Sequence, residues 1–147
     1  MRVCLASTSP ARLALLRQSG IEPLCVSPDV DEDAMWAAEA ERLGRPLAPE
    51  ELVLLLGRAK AAEVASRIRA IEPGFDGIVI GGDSMFALDG EVHGKPYEPE
   101  RAIARWRAMR GRTGVLHSGH SVSNASRPFA TALAWHPHFI SSRSATF

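Results

Sequence analysis

The chain has 147 residues, 46% of them hydrophobic and 23% charged, which is enough for one globular domain with a buried core and argues against a disordered protein. Its 17 basic and 17 acidic side chains cancel, so no overall charge is available to attract nucleic acid. The longest apolar run, residues 52–56, is far too short to span a bilayer, which argues against a membrane protein.

The charges are distributed unevenly along the chain. All 17 acidic residues lie at or before Glu100, whereas residues 101–147 contain seven arginines and no acid. A basic, acid-free segment is one signature of nucleic-acid binding. However, five of these arginines fall between Arg101 and Arg112, on and just after one predicted helix. This alternative therefore rests on charge alone, and we expect no nucleic-acid partner.

In chain order, the patterning predicts alternating strands and helices. Strands are expected at residues 2–6, 24–26, 77–82 and 115–122. Ser9 is a natural N-cap with Pro10 at the first helical position, and Gly20 suits the end of that helix. The alternation predicts an α/β fold whose central sheet is twisted.

The remaining elements are predicted from turn and helix-start signals. An acidic loop at residues 29–33 precedes an alanine-rich stretch whose state the pattern leaves undecided. The longest helix should begin at Pro49 and run to about Ile71, and a last helix should begin at Pro99. The sequence Leu88-Asp89-Gly90-Glu91 predicts a hairpin turn.

The two cysteines, Cys4 and Cys25, both fall in apolar strand-like runs without a C-x-x-C spacing. We expect buried thiols in a reducing compartment, with the cytosol as the default location. Residues 1–21 have three arginines, three serines and no acid, a composition that organellar transit peptides share. The same residues are, however, fully accounted for as strand, loop and capped helix.

The loop from Ser7 to Arg12 could bind an anion. A helix N-terminus presents unpaired N–H groups, to which Ser7 and Ser9 add hydroxyls and Arg12 adds a guanidinium. An ordinary N-cap with a solvated Arg12 explains the same residues, and from the residues alone it is the favoured interpretation.

A second candidate site follows the β-branched run of residues 78–80. The run ends in Gly81, Gly82, Asp83 and Ser84, which places a carboxylate just past a buried strand, beside glycines that would let a ligand approach the backbone. Asp83 could equally be a turn or cap residue.

Three further candidates are weaker when taken alone. Glu32 in the acidic loop could be a solvated turn residue, and Lys60, on an alanine-lined helix, could lie on the surface. Lys95 stands between Gly94 and Pro96, which fix its approach and make it a better phosphate ligand than a random lysine.

Two pairs of side chains on or after the last helix are interpreted as structural and not as parts of a site. Trp106 and Met109 have helical spacing and are expected in the core. His117 and His120 should lie on opposite faces of a strand, which argues against a shared metal ion.

In order and wording, these segments resemble the Maf-type nucleoside triphosphate pyrophosphatases from about Arg2 to about Val122. The resemblance implies a Maf/ITPase-like twisted mixed sheet flanked by helices. It also implies that Glu32 and Asp83 hold a divalent cation, expected to be magnesium, and that Asp83 activates water. The implied phosphate ligands are Ser7, Ser9, Arg12, Lys60 and Lys95. Ala11 stands where the family usually has an additional arginine, so one phosphate contact is missing or supplied elsewhere.

Beyond Val122 the resemblance ends. Family members continue into further strands, a helix and a glycine-rich segment, none of which we recognise in residues 123–147. We therefore expect an incomplete domain at residues 1–122, lacking its C-terminal lobe, and an atypical, loosely ordered tail at 123–147. A reading-frame change or early stop near Val122 is the simplest account.

Two functions remain open from the sequence. The chain could hydrolyse nucleoside triphosphates to monophosphates and pyrophosphate, or it could be a catalytically impaired remnant that binds phosphate or a partner without turnover. The base of the nucleotide is not identified, and a homodimer is left open.

Overall fold

Strands and helices alternate in the computed structural model, which describes residues 1–89, 91–93, 98–124 and 138–141. The strands are β1 (Arg2–Ala6), β2 (Leu24–Val26), β3 (Gly77–Leu88), β4 (Glu91–His93), β5 (Thr113–Asn124) and β6 (His138–Ser141). The helices are α1 (Pro10–Gln18), α2 (Glu32–Leu43), α3 (Pro49–Ile71) and α4 (Pro99–Met109). The predicted α/β fold is confirmed.

The strands form one mixed sheet in the order β2-β1-β3-β5-β6, with β4 paired to β3. β1 is parallel to both β2 and β3, whereas β5 is antiparallel to β3 and β6 is antiparallel to β5. The chain therefore passes from β1 to β2 on one side and then crosses to β3 on the other side of β1. Because parallel connections are almost always right-handed, this order predicts α1 and α3 on opposite faces of the sheet and a crevice at the carboxyl end of β1.

Local chemistry explains where the predicted helices begin. The Ser9 side chain caps α1 by accepting from the Arg12 backbone N–H at 3.4 Å, with Pro10 at the first helical position, as predicted. Helix α3 begins at Pro49, where the Glu51 carboxylate accepts from the Ala48 N–H at 2.9 Å. Gly20 follows α1 with φ of 75°, a value that suits glycine.

The sequence pattern left one helix undecided and ended one strand too early. The undecided alanine-rich stretch is helix α2, which Asp31 caps by accepting from the Ala34 N–H at 2.9 Å and Gly44 ends with φ of 66°. Strand β3 continues past its predicted end at Gly82 to Leu88, because its outer half pairs with β5 and β4. The β3–β4 pairing confirms the predicted hairpin.

The main hydrophobic core lies between α3 and the parallel half of the sheet. Its buried members come from β1, β2, α3 and β3 and from the turn before β3, which contributes Phe75: Cys4, Ala6, Val26, Val64, Ile68, Phe75 and Val79. A second cluster joins α2, α3 and the turn between them around Leu47, Leu52 and Leu56. Together these clusters fix α3 against the sheet.

Three predictions of burial are wrong. Cys25 is exposed, because β2 is an edge strand and this side chain points away from the core that contains Cys4. Trp106 is 73% exposed. Met109 is only partly buried, on the side of helix α4 that also carries Ala102 and Arg105, and it does not belong to the core. Trp106 lies outside this partly buried stripe.

Part of the predicted tail belongs to the sheet. Ser123 and Asn124 end β5, and β6 pairs with the start of β5, where Val115 lies opposite Phe139. The other tail residues, 125–137 and 142–147, lie outside the described residues, so their predicted loose order stays a prediction. Within the described part of the chain, no helix is long and apolar enough to cross a membrane.

Candidate functional site

The Lys60 ammonium group lies between two carboxylates that come from different parts of the chain. Its Nζ donates to Asp83 Oδ1 at 2.6 Å and lies 2.7 Å from Glu32 Oε1. Lys60 and Asp83 are only 8% and 9% exposed, whereas the Glu32 side chain is about half exposed. Helices α2 and α3 and strand β3 each contribute one member of this charged triad.

Glycines allow α3 to approach the sheet closely enough to form the triad. A Cβ atom on Gly81 would lie 2.4 Å from the Gly57 carbonyl oxygen and 2.5 Å from the Ala61 nitrogen. A Cβ atom on Gly119 of β5 would lie 2.5 Å from the Val53 carbonyl oxygen. Lys60 precedes Ala61, so the same close packing brings its side chain to Asp83.

This packing corrects the role that the sequence suggested for Gly81 and Gly82. The two glycines were expected to let a ligand approach the backbone, but protein groups occupy both spaces. Gly81 faces the backbone of α3, and a Cβ atom on Gly82 would lie 3.0 Å from the His120 ring and 3.2 Å from Arg12 Nε. The glycines therefore bring protein groups together around Asp83.

A second cluster of polar groups surrounds Arg12. Its Nη1 donates to Ser7 Oγ at 3.1 Å and its Nη2 donates to Ser84 Oγ at 2.9 Å. Ser84 Oγ in turn lies 2.6 Å from Ser118 Oγ on the neighbouring strand. Sequence reasoning missed Ser118, because only the β3–β5 register makes it the partner of Ser84.

The surroundings of Arg12 change the pKa of its guanidinium. Burial lowers the pKa of its guanidinium, and the nearby negative charges of Asp83 and Glu32 partly oppose that shift. Arg12 is thus within electrostatic reach of the charged triad. Because Asp83 and Ser84 are consecutive in a strand, their side chains point to opposite faces, so the two clusters lie on either side of β3.

The structure places most of the predicted site residues around the carboxyl end of β1 and the middle of β3. Ser7 and Ser9 follow β1 and Arg12 lies in the first turn of α1, whereas the charged triad lies on the other side of β3. Lys60, assigned from the resemblance to phosphate, contacts two carboxylates here. Lys95 lies outside the described residues. The assigned roles of all these residues stay predictions.

The two histidines of β5 lie on opposite faces of the strand, as predicted. His117 approaches Glu50, with 3.7 Å between its Nδ1 and Glu50 Oε2, whereas His120 lies near Arg12 and Gly82. Among the described residues, no group of three or more histidine, cysteine or acidic side chains is arranged to hold a metal ion. A metal at this site would therefore depend on a small number of protein ligands.

Comparison with known proteins identifies the family of this chain. The family model described as Maf-like protein matches residues 2–139. The chain belongs to the Maf-like family. The match continues past Val122, where the sequence analysis placed the end of the resemblance.

Three relatives of the chain carry the name nucleoside triphosphate pyrophosphatase. The one from Leifsonia xyli subsp. xyli is 60% identical over 121 residues, which cover 82% of this chain and 54% of the relative. That from Corynebacterium efficiens is 45% identical and covers 95% of this chain and 65% of the relative. That from Streptomyces avermitilis is 47% identical, over 90% of this chain and 59% of the relative. The chain thus spans between about half and two thirds of the length of these relatives.

The fold of the Maf-like chain is similar to that of a solved structure, a HAM1 protein from Coxiella burnetii. The TM-score is 0.51, and the match covers 95% of this chain and 71% of the HAM1 protein. The two sequences are only 15% identical. This likeness supports the arrangement of strands and helices and carries no argument about chemistry.

Proposed function

We propose that this Maf-like chain hydrolyses a nucleoside triphosphate between its α and β phosphates, giving a monophosphate and pyrophosphate. The names of the three relatives support this activity, and the clustered charges around Asp83 support a phosphoanhydride as the bond that is cleaved. A cytosolic location, which the free thiols favour, is part of the proposal.

The triad of Lys60, Asp83 and Glu32 is the observation that carries the proposal. A lysine that is only 8% exposed and two carboxylates are costly to gather in one place, since each charge loses solvation. Helix packing against the glycines of β3 and β5 holds them there. Charged side chains that are held together at a cost in solvation are typical of a site where charge develops during a reaction.

The donor set of this site fits magnesium. Glu32 and Asp83 offer hard carboxylate oxygens, and Mg²⁺ is usually held by one or two carboxylates while substrate phosphates and waters complete its shell. We infer that these two residues would hold the ion. When bound, magnesium would supply a Lewis acid that neutralises phosphate charge.

The other residues of the chain have separable roles in this proposal. Asp83 accepts a hydrogen bond from Lys60 through Oδ1, and in this proposal its carboxylate takes a proton from the attacking water. As the water oxygen bonds to phosphorus, the bridging P–O bond breaks and its electron pair leaves with pyrophosphate. Arg12, Ser7 and Ser84 donate to phosphate oxygens, and Lys95 is proposed to do the same.

Release of pyrophosphate from a panel of nucleoside triphosphates with magnesium present tests the function. We expect turnover of at least one nucleotide by the full chain and its loss in Asp83→Ala. Glu41→Ala, which removes an exposed carboxylate of α2, is the control and should behave as the unmodified chain. If every nucleotide binds without turnover, the proposal fails in favour of a remnant that binds phosphate. The same panel would identify the preferred base.

A further inference from the structure

A pair of hydroxyl groups extends the Arg12 cluster across the sheet. Ser84 and Ser118 are directly opposite each other in the β3–β5 pairing, and their Oγ atoms are 2.6 Å apart. Ser7 lies on the other side of Arg12, at the end of β1. Since neighbouring strands are about 4.8 Å apart, Ser118 carries the row of polar groups one strand farther from α1.

The Arg12 guanidinium is held by neutral groups in this row. It has five N–H donors, and within the described part of the chain two of its nitrogens donate to the hydroxyls of Ser7 and Ser84. No carboxylate there is hydrogen-bonded to it. Burial nevertheless penalises its charged form. A partly desolvated cation whose contacts are hydroxyls is complementary to an anion that accepts several hydrogen bonds.

On the other face of β3, the cation is paired with carboxylates. There the Lys60 ammonium is already paired with Asp83 and Glu32, and these carboxylates repel a phosphate group that brings no cation. The face that carries Arg12 therefore suits a phosphate group without a bound cation. The face that carries Lys60 suits a phosphate group that brings a cation.

We propose that Ser118, together with Ser84 and Arg12, binds the two-phosphate leaving group of the nucleotide on the face of the sheet opposite Lys60. This inference rests on the proposed function and assigns to Ser118 a direct contact with substrate. Because the Oγ atoms of Ser84 and Ser118 are only 2.6 Å apart, one phosphate group of pyrophosphate can accept from both hydroxyls while the other phosphate group accepts from Arg12. The product of the reaction would thus leave from this subsite.

A purely structural role for Ser118 would give a different result in a double-mutant cycle. If Ser118 only orients the Ser84 hydroxyl, its removal has no further effect once Ser84 is alanine. If Ser118 donates to pyrophosphate itself, Ser118→Ala weakens binding in both backgrounds.

The experiment is titration calorimetry of inorganic pyrophosphate with the full chain, without magnesium, so that affinity reflects protein groups alone. We expect Ser118→Ala to raise the dissociation constant about tenfold, in keeping with loss of one hydrogen bond to a charged group. Ser84→Ala/Ser118→Ala should bind more weakly than Ser84→Ala by a similar factor. Ser118→Thr, which keeps the hydroxyl, should bind like the unmodified chain.

Ser121→Ala is the matched control. It removes a hydroxyl from the same strand but on the face that α3 covers, and it should leave pyrophosphate affinity unchanged. The proposal is overturned if the unmodified chain does not bind pyrophosphate, if Ser118→Ala binds normally, or if the double variant matches Ser84→Ala. These outcomes require no turnover, so they are distinguishable from failure of the hydrolysis assay.

Discussion

Gly81 of β3 lies directly under the backbone of Gly57 of α3, so close that a Cβ atom on Gly81 would come within 2.4 Å of the Gly57 carbonyl oxygen. Both groups in this contact are backbone, which cannot move aside as the end of a side chain can. The contact lies two residues from Asp83 and three from Lys60 along their respective elements. Its spacing therefore sets how well the two charged groups meet.

Gly81→Ala should force α3 away from the sheet. We expect a loss of about 1–3 kcal/mol in the free energy of unfolding, the usual cost of overpacking, and a fall in hydrolysis as Lys60 moves from Asp83. Denaturant unfolding and a turnover assay measure the two effects. Gly57→Ala is the matched control, since its Cβ would lie 3.1 Å from the Gly119 oxygen and helix propensity offsets part of the strain. Equal stability of the two variants would contradict this account.

Lys60→Met should destabilise the chain because it leaves the Asp83 carboxylate buried without its cation. Breaking one side of a buried ion pair costs about 3 kcal/mol, to be measured by urea unfolding. Adding Asp83→Leu should recover much of this loss, since the unpaired charge is then absent. If Lys60→Met alone leaves stability unchanged, the pair is not buried in solution as it is here.

Asp83→Ala and Lys95→Ala should each lower the rate of nucleotide hydrolysis by at least ~100-fold, the usual scale for losing one electrostatic participant in catalysis. Release of pyrophosphate under saturating substrate measures this. Near-normal turnover in either variant would remove that residue from the proposed site.

Glu51 should make stability depend on acid pH. Hydrogen bonds from Arg45 and then from the Ala48 N–H lower the pKa of the Glu51 carboxyl from 4.5 to about 2. A carboxyl whose pKa is lower in the folded state stabilises that state above pH 4.5, and this contribution is lost as the pH falls toward 2. The difference in Tm between the unmodified chain and Glu51→Gln should therefore shrink over this range. A constant difference would show that the cap is not formed in solution.

The two thiols should differ sharply in reactivity. Burial raises the pKa of the Cys4 thiol from 9.0 to about 11, whereas Cys25 is exposed at the edge strand β2. At neutral pH, a thiol reagent should modify Cys25 quickly and Cys4 only after unfolding. Mass spectrometry of digested protein identifies the labelled residue, and Cys25→Ser provides the control. Rapid labelling of Cys4 in the folded chain would contradict the assigned core.

Local patterns determined the order of most elements from sequence. Pro10, Pro49 and Pro99 each stand at the first position of a helix, because a residue without an N–H is tolerated where no partner for it exists. The position of Asp83 beyond a β-branched run was also evident. These signals work because caps, periodicity and turns involve residues that are close along the chain.

Only the tertiary structure decided which side chains meet. The pairing of Ser84 with Ser118 depends on strand register, and a shift of one residue would point either side chain to the other face. The burial of Lys60 depends on three glycines of different elements that let two backbones touch. Cys25 has apolar neighbours in sequence and Trp106 has helical spacing to Met109, yet both lie exposed, since burial is set by what covers a strand or helix in space.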